Sequence, residues 1–161
     1  MADQFDVTDK VVMITGGSRG LGKAMSHAFA AGGAKVVVAS RKIAECERLA
    51  SELIERGSDA MAIACHVGHW DDLEAVVDRV IEKYGRIDVL VNTAGMSPVA
   101  PSLLETSEAL FDKIIDVNLK GPTRLTALVA TKMSETGGGS IINISSVASY
   151  RPSPLTTVYS A

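Results

Sequence analysis

The feature that most constrains the fold is a fivefold alternation of short apolar runs with stretches of helical period. Lys10–Thr15 (KVVMIT), Lys35–Ser40 (KVVVAS), Ala60–Cys65 (AMAIAC), Ile87–Asn92 (IDVLVN) and Ser140–Ser145 (SIINIS) are short and largely β-branched. Apolar on successive rather than alternate residues, they read as strands buried on both faces. Leu21–Ala31 between the first two is small and apolar. Ile43, Cys46, Leu49, Ala50, Leu53 and Ile54 recur at helical spacing, as do Leu73, Val76, Val77, Val80, Ile81 and Tyr84. Asp71 and Asp72 stand where a first turn favours negative charge. A longer helical region spans Glu108–Ser134, with Leu110, Phe111, Ile114, Ile115, Leu125, Leu128 and Val129 as its apolar positions. Gly32-Gly33, Gly57, Gly85 and Gly137–Gly139 punctuate the element ends. Strands alternating with helices predict right-handed crossovers and an open, doubly wound parallel α/β sheet, one domain over residues 1–161.

Composition narrows the partners. At 161 residues, 47% hydrophobic content and a net charge of -3, the chain suits one globular domain. Lys and Arg are scattered and aromatics make up 4%, which argues against a nucleic-acid partner. Met1–Lys10 carries Asp3, Asp6 and Asp9 in place of an apolar signal core, and no run long enough to cross a membrane follows, so the expected location is cytoplasmic and no membrane partner is expected. Cys46 and Cys65 have no CxxC spacing and read as free buried thiols. His27 and His69 lack partners at ligand spacing, so no metal site is expected.

Chemistry enters at the first strand-to-helix turn, Thr15-Gly16-Gly17-Ser18-Arg19-Gly20-Leu21-Gly22, with glycines spaced G-x-x-x-G-x-G. Such glycines let the backbone turn tightly and approach a pyrophosphate, whose charge meets the free N–H groups and positive dipole end of the helix. The strand before and the helix after this turn favour a nucleotide site over mere punctuation.

TGGSRGLG at 15–22, NTAG at 92–95, Asn118 in VNLKG, Ser146 in NISS and Tyr159 in YSA resemble, in order and spacing, the short-chain dehydrogenase/reductase family. The resemblance spans almost the whole chain. It implies a Rossmann-like fold and transfer of a hydride between a nicotinamide and a carbonyl or secondary-alcohol carbon. It assigns Tyr159 to the accompanying proton, Ser146 to a hydrogen bond with the substrate oxygen, and Asn118 to holding a relay water by its backbone or side chain. A free phenol titrates near pH 10, so proton transfer near neutrality needs assistance. The family draws it from a lysine four residues on and from the nicotinamide's charge.

The same resemblance places Thr15, Gly16, Ser18, Arg19, Gly20, Leu21 and Gly22 around the pyrophosphate, with Ser40 and Arg41 at the ribose. His66 and Val67 fall at the adenine, and Asn92, Ala94 and Gly95 at the nicotinamide ribose. At the end of the second strand, Ser40 is followed by Arg41 and Lys42, with no carboxylate to repel a 2′-phosphate. Arg41 can grip that group bidentately and Arg19 can add a second charge, which predicts NADP(H) over NAD(H). Two positions depart from the family. His66 stands where an acid usually meets the adenine amine; a neutral histidine can still accept a hydrogen bond. Thr93 stands where a second asparagine is usual, with loss of a sheet-stabilising hydrogen bond expected.

The family's lysine would fall at position 163, past Ala161, and its later strands, helices and part of its usual homo-oligomer interface would come after it. The expectation is therefore a C-terminally truncated member, five strands present, with Ser140–Ser145 an exposed edge. Two functions are compatible with this: an NADP(H)-dependent oxidoreductase acting on a small carbonyl or alcohol, or a noncatalytic dinucleotide-binding fragment completed by a partner. Met96–Leu103 and Val147–Thr156 lie at strand ends, where Ser97, Pro98, Val99, Tyr150 and Pro154 are candidates to line an apolar substrate pocket.

Overall fold

A computed structural model describes residues 6–161; Asp3 of the acidic N-terminal stretch lies outside them. The strands are β1 (Val11–Thr15), β2 (Lys35–Ser40), β3 (Ala60–Ala64), β4 (Val89–Asn92) and β5 (Ser140–Asn143). They form one parallel sheet in the order β3-β2-β1-β4-β5. The chain runs outward from β1 to β3, then crosses back to β4 on the other side of β1. That reversal opens a crevice at the carboxyl ends of β1 and β4, the place where doubly wound sheets bind ligands.

Side-chain alternation divides each strand between two cores. Val12, Ile14, Val36 and Val38 face one side, where α1 (Gly20–Ala31) and α2 (Ile43–Glu55) cover them with Ala30, Cys46, Leu49 and Leu53. Val11, Met13, Val37 and Leu90 face the other, under α3 (Leu73–Tyr84) and α5 (Gly121–Glu135) with Val76, Val80, Leu125 and Val129. Burial on both faces is why these strands tolerate unbroken apolar runs. Cys46 and Cys65 are free buried thiols. Burial pushes the Cys65 thiol up to about 12, so it stays protonated.

β2 matches its sequence run, and the other four strands are shorter than theirs, yet flanks remain tied. Lys35 N–H donates to Lys10, Asp88 N–H to Val11 and Cys65 N–H to Ser40, each 2.9 Å from a backbone carbonyl. The more informative difference is at Glu108–Ser134, expected as one helical region. It is α4 (Glu108–Ile115), a π-helical segment over Asp116–Lys120, and α5. Ser107 caps α4 by accepting from the Leu110 amide at 3.2 Å. The chain continues through short 3-10 turns into α6 (Thr157–Ser160), which carries Tyr159. No helix among the described residues is long and apolar enough to cross a membrane.

Candidate functional site

Thr15 ends β1 with its side chain turned into the sheet. Its Oγ1 accepts the amides of Thr93 (3.1 Å) and Ala94 (3.2 Å) and donates to the Val91 carbonyl (3.4 Å). One hydroxyl thus fastens the segment after β4 to the first turn. Gly16, at φ 67°, lies so close that an added Cβ would stand 3.0 Å from Ala94 Cα. Gly22 packs α1 onto the same turn, where a Cβ would overlap the Gly16 carbonyl. At Gly20, φ 52°, there is open space instead.

The helix start is bare. Arg19 is the N-cap of α1 without a side-chain cap bond, and no acid occupies the first turn. Amides at a helix start without protein acceptors, under the positive end of the dipole, form a ready anion site. Leu21 is 68% exposed beside it. Ser18 is buried and its Oγ lies 2.9 Å from Ser40 Oγ, which in turn lies 3.0 Å from Cys46 Sγ. This chain of small polar groups joins the glycine turn to the end of β2, where Arg41 is exposed.

At the end of β3, Val67 sends its side chain into the core, and Gly121 packs so tightly on its carbonyl that a Cβ would overlap it. His66 is half-buried and stacks on His69 at 4.1 Å. Its Nδ1 accepts the Gly68 amide at 3.2 Å. Burial first, then the proximity of His69 and Arg41, lowers its pKa and so favours the neutral ring. A neutral imidazole has one acceptor nitrogen, and the Gly68 amide already meets it.

Asn92 is buried and reaches sideways, its Nδ2 donating to Asn143 Oδ1 (2.9 Å) and Thr126 Oγ1 (3.4 Å). Its Oδ1 is sealed from solvent without a partner among the described residues. The side chain ties β4 to β5 and α5. Thr93 contributes through its backbone. Asn118, in the π segment, clamps Met96 twice: Nδ2 donates to the Met96 carbonyl (2.8 Å) and Oδ1 accepts the Met96 amide (2.9 Å). With both side-chain atoms committed, the backbone carbonyl is the group left for a relay role. Gly95 lies beside this clamp.

Ser146 comes after β5 as the N-cap of a 3-10 turn, its Oγ accepting the Ala148 amide at 3.2 Å. Tyr159 is half-buried on α6. The two segments expected around a pocket meet, with the Ala100 amide donating to the Leu155 carbonyl at 2.9 Å. Pro98, Ala100, Leu110, Ile114, Pro154 and Tyr159 line a shallow groove there. Tyr150 stands apart, 89% exposed. Among the described residues no cluster of three His, Cys, Asp or Glu is arranged to hold a metal.

Two supports are not evident from the sequence. Ser26 shares its hydroxyl between the carbonyls of Gly17 (3.2 Å) and Gly22 (3.0 Å), bracing the glycine turn from inside α1. Its signal is a lone hydroxyl on the helix's inner face, four residues after Gly22. Asn143 has no signal, because its partner Asn92 comes from another strand.

The arrangement has close counterparts. Dehydrogenase/reductase SDR family member 4 of Bos taurus is 38% identical over 96% of this chain and 55% of its own length. Human dehydrogenase/reductase SDR family member 2, mitochondrial, is 37% identical over 95% and 54%. A metagenomic short-chain oxidoreductase crystallised with NADP superposes with a TM-score of 0.92 at 34% identity, over 96% of this chain and 70% of the other. A crystal structure assigned to a short-chain alcohol dehydrogenase of Sinorhizobium meliloti 1021 superposes at 0.94 with 31% identity, over 99% and 63%. The chain spans about 55% of the length of the curated relatives it matches. The family model described as short chain dehydrogenase matches residues 10–161, and together with the fold and its crevice it establishes that this chain belongs to the short-chain dehydrogenase family.

Proposed function

We propose that the chain carries the dinucleotide site and part of the catalytic apparatus of an NADP(H)-dependent oxidoreductase acting on a small carbonyl compound or secondary alcohol. The observation that carries the reading is the end of β2. Ser40 and Arg41 stand there beside Ser18 and the exposed Arg19, with no carboxylate in the turn, next to the uncapped start of α1. The residues fit a phosphorylated dinucleotide. The glycine turn leaves open space at Gly20 and backbone donors at the start of α1, and both arginines can meet a 2′-phosphate as charge-assisted donors.

Thr15, Gly16, Ser18, Arg19, Gly20, Leu21 and Gly22 would hold the pyrophosphate, with Ser40 and Arg41 at the phosphorylated ribose and His66 and Val67 at the base. Asn92, Ala94 and Gly95 would shape the nicotinamide end, Asn92 by bracing the strand ends. A bound nicotinamide supplies hydride exchange with the substrate carbon. Ser146 orients the substrate oxygen by a hydrogen bond. Tyr159 gives the proton to that oxygen in reduction and takes it in oxidation. Asn118 holds the relay by its backbone carbonyl, while its side chain fixes the Met96 loop.

Calorimetric titration with NADPH and NADH tests the reading. NADPH is expected to bind more tightly. Arg41→Ala should weaken NADPH roughly ten- to a hundredfold and leave NADH unchanged, the value of a charge-assisted bond. Equal NADPH affinity in parent and variant would sink the assignment.

A further inference from the structure

The bond from the Cys65 amide to the Ser40 carbonyl, 2.9 Å, continues the pairing of β3 with β2, and the next residues are His66 and Arg41. Both stand at the carboxyl ends of adjacent strands. On the proposed dinucleotide reading, which the role of His66 presupposes, the pyrophosphate lies at the start of α1 and the ribose at the end of β2. The base then extends outward to the end of β3.

An N–H aimed at His66 Nδ1 requires a lone pair there, and Gly68 supplies that N–H at 3.2 Å. In the neutral ring the proton then sits on Nε2, making that nitrogen a donor. Burial first, then the proximity of His69 and Arg41, favours the neutral ring, and its own backbone opposes them. His69 stacks at 13° between planes and restrains the ring's orientation. Nε2 has no acceptor among the described side chains and is not sealed from solvent. A carboxylate at this place would only accept, so the histidine inverts the polarity offered to a base.

We propose that His66 reads the purine of the dinucleotide as a donor through Nε2–H, so that the subsite favours a 6-oxo group over a 6-amino group relative to an acceptor-only residue there. The experiment titrates NADPH and its hypoxanthine (6-oxo) analogue into the parent chain, His66→Ala and His66→Asp, with circular dichroism to confirm folding. The ratio of the 6-oxo to the 6-amino Kd should rise roughly tenfold or more from parent to His66→Asp, with His66→Ala between, because a donor facing a donor forfeits about one hydrogen bond. An unchanged ratio across the three proteins overturns the proposal. So does a ratio that falls from the parent to either variant, His66→Ala serving if His66→Asp does not fold. Binding of neither nucleotide by the folded parent overturns the dinucleotide reading itself and this proposal with it.

Discussion

The interior of the sheet at β2 and its edge at β5 differ in how they are held. Toward β2, both faces are covered: Val36, Val37 and Val38 are fully buried, and Leu49 and Leu53 of α2 close the layer. Toward β5, the strand is exposed along most of its length, Ile142 is 39% exposed, and no described helix covers the face bearing Ile142 and Ile144. The nucleotide-side residues thus sit on a packed scaffold, whereas Ser146 continues directly from the thinly covered strand. Geometry at β2 is set by close packing on both faces, and at β5 by backbone pairing with β4, the packing of Ile141 and polar ties such as Asn92 to Asn143. Groups on the packed side are preorganised in proportion to that burial.

Three substitutions probe the contrast. Leu49→Ala removes a fully buried side chain and should cost about 2–5 kcal/mol, read as a drop in the urea midpoint at constant slope. A loss below about 1 kcal/mol would mean that the covered region at β2 is no tighter than the open edge at β5. Gly22→Ala forces a methyl into the Gly16 carbonyl and should cost about 1–3 kcal/mol while abolishing NADPH binding. Retained affinity would separate the glycine packing from the nucleotide site. At the β5 edge, Ile142→Ala should cost less than about 1 kcal/mol, since much of its surface already meets water. A loss equal to that at Leu49 would erase the contrast.

Much of the fold is legible in the sequence because burial on both faces leaves a signature in the chain itself. The strands fall within the short, largely apolar runs, and α2 and α3 track their apolar spacing closely. The π segment at Asp116–Lys120 is not legible as such, and the contact it carries is remote, with Asn118 reaching both backbone groups of Met96. At the site, the glycine turn and Arg41 can be read locally. His66 is identifiable, but its hydrogen-bond polarity is not, since the Gly68 amide that sets it depends on how the chain turns after β3. The sequence points Asn92 toward a ligand, and only the fold shows that its side chain braces Asn143.

The amino-acid order by itself determined the element sequence, the glycine turn and the charge at the end of β2, because periodicity, backbone freedom and local charge are properties of neighbouring residues. The tertiary structure alone decided strand order, which face Asn92 and Asn118 serve, and which nitrogen of His66 is left to act. Those outcomes depend on satisfying buried polar groups across residues far apart in sequence, and no local pattern carries that information.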